Sequence, residues 1–245
     1  MLKWFFKKVE KKNDLIDFSI IKTDIHSHLI PGIDDGSPNI DTTIRLILEM
    51  KKLGYRKLIT SPHVMSDAYD NSSEKILQGL NFVRNELKIR NIDIEIDAAA
   101  EYYIDYNFEQ KIGKEMFLTF GENYLLVELS FVDAPKNLFD IIFKLQLEGY
   151  KVVLAHPERY HYFQVKDYQD LTQRGVFLQI NLLSLIGYYS KEVQDKAENL
   201  IANNMVRFIG SDCHNMRHVE LYKKCQTRRA WHNLHNSGKL LNSTL

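Results

Sequence analysis

The chain has 245 residues, a length that suits one large domain or two small ones. Hydrophobic residues make up 44% of the chain and charged residues 26%, which is typical of a folded protein and excludes an intrinsically disordered one. Thirty-two basic residues balance thirty-two acidic residues, so a nucleic-acid-binding protein held by a broad basic field is not expected.

The two ends of the chain differ in composition from the segment between them. Residues 1–22 are predicted to form an N-terminal arm, in which Trp4, Phe5 and Phe6 lie among the lysines of the first twelve residues. We expect this arm to be frayed or docked on the protein, and peripheral contact of residues 1–12 with an anionic membrane surface is the alternative. Residues 232–245 are polar and are predicted to form a peripheral tail. These boundaries leave 23–231 as a single domain.

Short apolar runs alternate with longer segments of helical periodicity along the domain. The runs are rich in Ile, Val and Leu and predict strands at 23–28, 57–63, 94–101, 124–130, 151–159, 176–184 and 206–214. Apolar residues that recur every three or four positions predict helices within 40–53, 76–87, 138–145 and 193–201. Strands that alternate with helices pair in parallel. This periodicity fits both a closed barrel and an open, doubly wound sheet.

Each of the seven runs contains or ends in polar side chains that ligate metals or bind anions. In chain order these side chains are His26 and His28, His63, Glu101, Glu128, His156 and Arg159, Asn181, and Asp212 and His214. The carboxyl ends of all strands of a barrel meet on one face, which is where barrel enzymes place their sites. An open sheet would spread the same positions along a line. The sequence therefore predicts a single-domain α/β barrel with one polar mouth.

The spacing of the histidines indicates that pairs of them share a metal ion. Residues i and i+2 of a strand project from one face, so His26 and His28 can reach the same ion. Asp212 and His214 have the same spacing. Asp24 lies on the face of His26 and could orient a histidine ring from behind.

Two carboxylates lie in or directly after apolar runs. Glu128 lies within Leu-Leu-Val-Glu-Leu and Glu101 follows three alanines. A buried, unpaired carboxylate is strongly destabilising, and a metal cation removes that penalty. Imidazole combined with carboxylate suits Zn²⁺, Mn²⁺ or Fe²⁺. The sequence therefore predicts a polynuclear metal site.

Seven motifs along residues 23–218 resemble those of the PHP-domain phosphoesterases. The motifs are D-I-H-S-H (24–28), I-D-D-G (33–36), S-P-H (61–63), A-E-Y-Y (100–103), V-E-L-S (127–130), A-H-P-E-R-Y (155–160) and S-D-C-H-N (211–215). Within that superfamily they look most like the bacterial manganese-dependent protein-tyrosine phosphatases encoded with capsule and exopolysaccharide genes. The resemblance implies a distorted (β/α)7, TIM-like barrel with three divalent metal ions, manganese foremost and iron or zinc as alternatives.

The resemblance also implies a role for each matching residue. The first metal would be held by His26, His28, Glu101 and Asp212; the second by Glu101, Glu128 and His156; the third by His63, His214 and an aspartate of the turn at 33–36. For that aspartate Asp35 is preferred and Asp34 is the alternative. Arg159 matches the phosphate-binding arginine of the family. Arg217 is the nearest candidate for the second arginine of the family, which normally follows the aspartate–histidine motif at a longer offset.

The resemblance implies a cytoplasmic hydrolase that removes phosphate from phosphotyrosine by attack of metal-activated water. The expected protein substrate is the tyrosine-rich tail of a bacterial tyrosine kinase that controls polysaccharide export. Two alternatives remain: a small-molecule phosphatase, such as a histidinol-phosphate phosphatase, or a phosphodiesterase; and a metal-binding scaffold that docks the kinase without turnover. Two cysteines are too few for a disulfide framework, which fits a reducing compartment.

Overall fold

The computed structural model of the chain describes residues 14–245. Within this range the β-strands are β1 Thr23–Asp24, β2 Lys57–Thr60, β3 His63–Val64, β4 Glu95–Ala98, β5 Glu101–Tyr103, β6 Tyr124–Glu128, β7 Lys151–Ala155, β8 Phe177–Asn181 and β9 Val206–Gly210. The α-helices are α1 Ile40–Lys52, α2 Ser73–Ile89, α3 Tyr106–Lys111, α4 Leu138–Leu147, α5 Val165–Gln173, α6 Lys191–Ala202, α7 Met216–Cys225 and α8 Arg229–Asn236.

Four of the helices confirm the predicted periodicity. Helix α1 begins where the Asn39 side chain accepts a hydrogen bond from Thr42 N at 2.9 Å, and α6 begins at Ser190, whose hydroxyl accepts from Val193 N at 3.1 Å. Such caps satisfy backbone donors that have no partner within the helix. Helices α2 and α4 cover the other two predicted segments, whereas α3 and α5 lie where the apolar periodicity is weak.

The strands form a closed, all-parallel barrel. Their order is β1-β2-β4 in one sheet and β3-β5-β6-β7-β8-β9 in the other, and β2 and β4 continue directly into β3 and β5, which joins the two sheets. Ser27 pairs in parallel with Cys213, and Asp212 N donates to His26 O at 2.8 Å, which brings the segment after β9 against the segment after β1. Seven barrel strands therefore follow one another in chain order, and the predicted (β/α)7 barrel is confirmed.

Apolar side chains fill the barrel below its carboxyl-terminal mouth. Ile25, Leu126, Val153 and Phe208 pack against one another inside the ring of strands, and each is at most 1% exposed. A larger apolar layer separates the outer face of the strands from the helices. Polar side chains at the strand ends therefore face only the mouth of the barrel.

Both ends of the described part of the chain pack against the barrel. Phe18, within the predicted arm, is fully buried, and its ring lies 5.2 Å from that of Tyr55 and 5.3 Å from that of Trp231. Residues 1–13, which contain the whole of the segment 1–12 for which membrane contact is the alternative, lie outside the described residues. In the predicted peripheral tail, the buried Asn242 donates to Thr23 O at 3.0 Å and Ile209 O at 2.8 Å, so this segment packs against the first and last strands.

Among residues 14–245, every helix falls short of the length and apolar character that crossing a bilayer requires.

Candidate metal centre

The predicted metal-ligating side chains meet at the mouth of the barrel. His26 and His28 follow β1, His63 begins β3, Glu101 begins β5, Glu128 ends β6, His156 follows β7, and Asp212 and His214 follow β9. The carboxyl ends of parallel strands converge at this face, so residues far apart in the chain become neighbours.

His26 and His28 lie beside two carboxylates. The Nε2 atom of His26 is 3.2 Å from Glu101 Oε2 and 3.6 Å from Asp212 Oδ1. The Nε2 atom of His28 is 3.7 Å from Glu101 Oε2 and 3.5 Å from Asp212 Oδ1. These four side chains are those that the resemblance implies for the first metal.

Glu101 also connects this group to a second one. Its Oε1 atom is 3.0 Å from His156 Nε2, which lies 3.6 Å from Glu128 Oε1. Its Oε2 atom is 3.0 Å from Nδ1 of His63, a residue implied for the third metal. Glu101 is therefore common to both groups of candidate ligands.

A third group forms around Asp35. Asp35 Oδ1 lies 3.5 Å from His63 Nε2 and 3.5 Å from His214 Nε2. One ligand atom from each of these three residues and one from His28 lie within 4.8 Å of one another. Of the two aspartates that the sequence leaves open, Asp35 is the one that faces the histidines of the third site.

Asp34 supports the centre from behind. Its Oδ2 atom lies 2.8 Å from Nδ1 of His28, and its Oδ1 atom accepts from Gly36 N at 3.0 Å. Burial alone would raise the pKa of Asp34, but the charge and hydrogen bond of His28 outweigh burial and hold it at about 2. A carboxylate on Nδ1 makes Nδ1 the protonated nitrogen and turns Nε2, with its lone pair, toward the cluster.

The donor set of the cluster fits divalent cations. Glu101 Oε2 is buried and lies close to His26 and His63 without hydrogen-bond geometry to either, as expected of ligands directed at a common ion. Burial lowers the pKa of His26, but Glu101 and Asp212 outweigh burial and raise it to about 10. Burial and the charge of Glu101 together raise the pKa of Glu128. The cluster therefore contains more negative charge than it can keep buried without cations.

Two amides that the sequence analysis did not assign as ligands complete the centre. Asn181 Nδ2 donates to Asp212 Oδ2 at 2.6 Å, Gln179 Nε2 donates to Asn181 Oδ1 at 2.9 Å, and Gln179 Oε1 lies 2.8 Å from His26 Nδ1. Because the Asp212 carboxylate only accepts, each amide has one possible orientation and His26 carries its proton on Nδ1. Nε2 is therefore the nitrogen of His26 that remains to coordinate a cation in the cluster. The only sequence signal for this chain of contacts is the i, i+2 spacing of two amides in an apolar strand.

Two of the predicted ligands have unusual backbone conformations. His156 has φ +34° and Asp212 has φ +52°, in the left-handed region that non-glycine residues rarely adopt. Such strain costs on the order of 1–3 kcal/mol per residue and is concentrated at functional sites. Gly210 also lies so close to the centre that no side chain fits there. A Cβ atom at this position would lie 2.7 Å from His26 Cβ and 2.8 Å from Gln179 Nε2.

Arg159 lies at the edge of the cluster between two aromatic rings. Its guanidinium carbon is 4.6 Å from the centroid of Phe131 and 4.4 Å from that of Tyr189, and its Nη1 atom donates to Asp212 Oδ2 at 3.4 Å. Cation–π contacts on both faces restrict the rotation of the guanidinium group. The positive charge of Arg159 is thus held beside the predicted metal ions.

Arg217 and Asp24 do not make the contacts predicted for them. Arg217 is exposed, and its guanidinium carbon is 5.8 Å from the ring of Tyr188, outside the contacts of the cluster. Asp24 does not orient a histidine ring: it accepts from Ser211 N at 2.8 Å and from Ser211 Oγ at 2.7 Å. The expectation for Asp24 was wrong because the segment that carries Ser211 closes the barrel directly beside it.

Comparison with known proteins identifies the family. A family model described as capsular polysaccharide synthesis, CpsB/CapC, matches residues 22–230. The chain belongs to this family. The tyrosine-protein phosphatase YwqE of Bacillus subtilis (strain 168) is 28% identical to this CpsB/CapC chain over 197 residues, which cover 79% of the chain and 78% of YwqE.

Solved structures show the same relationship. A structure from the crystallographic work on YwqE of Bacillus subtilis and CpsB of Streptococcus pneumoniae, described as unique metal-dependent tyrosine phosphatases, matches with 25% identity and a TM-score of 0.79, over 91% of this chain and 90% of that one. The histidinol phosphate phosphatase of Lactococcus lactis, solved with zinc, L-histidinol and phosphate, matches with 14% identity and a TM-score of 0.51, over 83% of this chain and 93% of that one. The likeness to the histidinol phosphate phosphatase shows only that the two proteins share a fold. The resemblance stated from the motifs is therefore confirmed at the level of the family.

Proposed function

We propose that this CpsB/CapC chain is a metal-dependent phosphatase that hydrolyses phosphotyrosine in a protein. The observation that carries the proposal is the convergence of five histidines, four carboxylates and Arg159 at one barrel mouth. The likeness to YwqE supports the same conclusion, because YwqE is named a tyrosine-protein phosphatase.

We assign three divalent cations to the cluster, with Mn²⁺ preferred over Fe²⁺ and Zn²⁺. The ligand sets are His26, His28, Glu101 and Asp212; Glu101, Glu128 and His156; and Asp35, His63 and His214. Carboxylate and imidazole donors without thiolates suit these ions. When bound, the cations supply Lewis acidity to the phosphoryl group and activate water as the nucleophile.

The charge of the site fits a phosphate monoester. The six positive charges of three divalent cations exceed the four negative charges of the ligand carboxylates by about two, and Arg159 adds another positive charge. A dianionic phosphoryl group matches this surplus. Arg159 is placed to bind the non-bridging oxygens and to stabilise charge that develops on them, since its two faces are already held by Phe131 and Tyr189. A tyrosyl leaving group needs little protonation because the pKa of a phenol is near ~10.

We infer that the protein substrate is the phosphorylated tail of a bacterial tyrosine kinase involved in capsule synthesis. The match to the CpsB/CapC family supports this inference. We also infer a cytoplasmic location, which is consistent with the two buried cysteines, Cys213 and Cys225, both of which are unpaired.

The test compares two substrates after metal removal. Protein treated with a chelator should hydrolyse neither a phosphotyrosine peptide nor histidinol phosphate, and restored Mn²⁺ should give turnover of the peptide well above that of histidinol phosphate. The Glu101→Gln variant should stay inactive with Mn²⁺, because Glu101 contacts side chains assigned to all three ions. Preference for histidinol phosphate would instead identify a small-molecule phosphatase. Metal binding without turnover of either substrate would favour a scaffold.

A further inference from the structure

A cavity of about 280 Å³ lies beside the metal centre. It is lined by residues of β3, β5, α3, the first turn of α2 and the adjoining loops. Val64 and Tyr102, which line it, directly follow His63 and Glu101 along their strands. Asn71, which also lines the cavity, donates to His63 O at 2.8 Å, so the loop after β3 connects the cavity with the metal centre.

The cavity has an excess of negative charge. Four carboxylates line it, those of Asp70, Glu74, Asp105 and Glu115, together with one basic side chain, Lys111. Glu115 lies 3.7 Å from Lys111, and Asp105 accepts a hydrogen bond from the first turn of α3 at 2.7 Å. Asp70 and Glu74 have no basic partner among residues 14–245, so the excess charge favours a cationic ligand.

Asn71 provides an independent indication of a hydrogen-bond donor in this cavity. Its side chain lines the cavity and is 3% exposed. Nδ2 donates to Ile33 O at 2.9 Å and to His63 O at 2.8 Å, whereas Oδ1 has no partner among the described residues. Because both Nδ2 hydrogens are used, the amide cannot be turned round to satisfy Oδ1 internally. A buried carbonyl without a partner is unfavourable, and a ligand N–H group would remove that cost.

Part of the lining of the cavity is apolar. The rings of Tyr102, Phe108 and Phe117 are largely buried there. Lysine and arginine carry their charge at the end of an apolar stem, so they suit both this apolar part and the carboxylates. We propose that the cavity binds a lysine or arginine side chain that lies within a few residues of the phosphotyrosine in the protein substrate. This inference rests on the proposed phosphatase function.

The first experiment measures sequence preference with the manganese-loaded full chain. In a neutral phosphotyrosine peptide, one lysine is moved through each of the four positions before and after the phosphotyrosine, and matched peptides carry norleucine instead. At one position or a few adjacent ones, lysine should raise kcat/KM about five- to tenfold, mainly by lowering KM. This advantage should shrink with added salt because exposed charges are screened.

Variants assign the preference to the cavity. Asp70→Asn and Glu74→Gln should each reduce the lysine advantage, with the activity toward p-nitrophenyl phosphate unchanged as a measure of the intact metal centre. Asp67→Asn is the matched control, because Asp67 is exposed in the same loop and does not line the cavity. Equal turnover of lysine and norleucine peptides at every position, or a preference that survives in both variants, overturns the inference while leaving the phosphatase function intact. If no peptide is hydrolysed although p-nitrophenyl phosphate is, the proposed protein substrate itself is wrong, and this inference fails with it.

Discussion

Replacement of Gln179 by leucine tests how the metal centre is held together. Gln179 is fully buried and joins His26 to Asn181, which in turn contacts Asp212. Leucine has a similar size but neither an acceptor for His26 Nδ1 nor a donor for Asn181 Oδ1. The substitution therefore removes two hydrogen bonds and leaves two buried polar atoms unpaired.

The size of the effect follows from these contacts. An unpaired buried polar atom costs about 1–3 kcal/mol, so the free energy of unfolding should fall by roughly 2–4 kcal/mol. Loss of an outer contact to a ligand histidine typically weakens metal binding about 10–100-fold. Gln179→Glu keeps an acceptor for His26 Nδ1, so its metal affinity should stay much closer to that of the wild type.

Titration calorimetry of chelator-treated protein with Mn²⁺ measures the affinity, and urea unfolding measures the stability. Gln146→Leu is the matched control, since Gln146 is half-buried on α4 and its side chain contacts only Arg174 O, at 2.7 Å, among the contacts that the structure shows. Wild-type affinity for Mn²⁺ in a folded Gln179→Leu protein would refute the claim that this amide chain orients His26.

Four further predictions concern other parts of the molecule. Arg159→Ala should lower kcat about 10²–10³-fold with metal content unchanged, which steady-state kinetics and metal analysis together would check; loss of metal would contradict its assignment to phosphate. Phe131→Leu removes one of the two cation–π contacts and should lower kcat/KM about two- to fivefold, and an unchanged value would show that the Tyr189 contact suffices. Asp35→Asn should reduce the number of bound metal ions, whereas Asp34→Asn should weaken binding about 10–100-fold without changing the number at saturation; mass spectrometry of the native protein distinguishes these results, and the reverse pattern would exchange the two roles. Asn242→Ala should lower the free energy of unfolding by about 2–4 kcal/mol in urea and leave kcat at 25 °C unchanged, because its three hydrogen bonds join it to Thr23 and Ile209 and none of them involves a predicted metal ligand; a change in kcat alone would contradict this.

The ring of strands and most of the metal centre could be predicted because each leaves a local signal in the sequence. Histidines with i, i+2 spacing at the end of an apolar run are predicted to lie on the same face of a strand. In the structure, His26 and His28 both lie beside the carboxylate of Glu101. Glu128 in an apolar run is informative for a similar reason, since a buried carboxylate needs a cationic partner. These signals depend only on neighbouring positions.

The remaining features depend on contacts between distant segments. Asp34 and Asp35 are adjacent residues of the same type, and only the turn in which Asp34 accepts from Gly36 N decides which of them faces His63 and His214. Gln179 has no metal-ligating chemistry of its own, so its role appears only when β8 lies beside His26. Asparagine is a residue type that usually lies at the surface, but the partners of Asn242 are Thr23 on the first strand and Ile209 on the last.

The closure of the barrel has a consequence for how the protein matures. His26 and His28 come from the start of the chain and Asp212 and His214 from near its end, yet the two segments contact each other directly, for example Ser211 Oγ with His26 O across 185 positions. During synthesis, the growing chain therefore contains half of these ligands long before the other half has been made. High metal affinity arises only when the last strand docks beside the first, a contact of high sequence separation that is expected to form late in folding. Metal uptake would then report the completion of folding, and an interrupted chain would compete poorly with other proteins for metal.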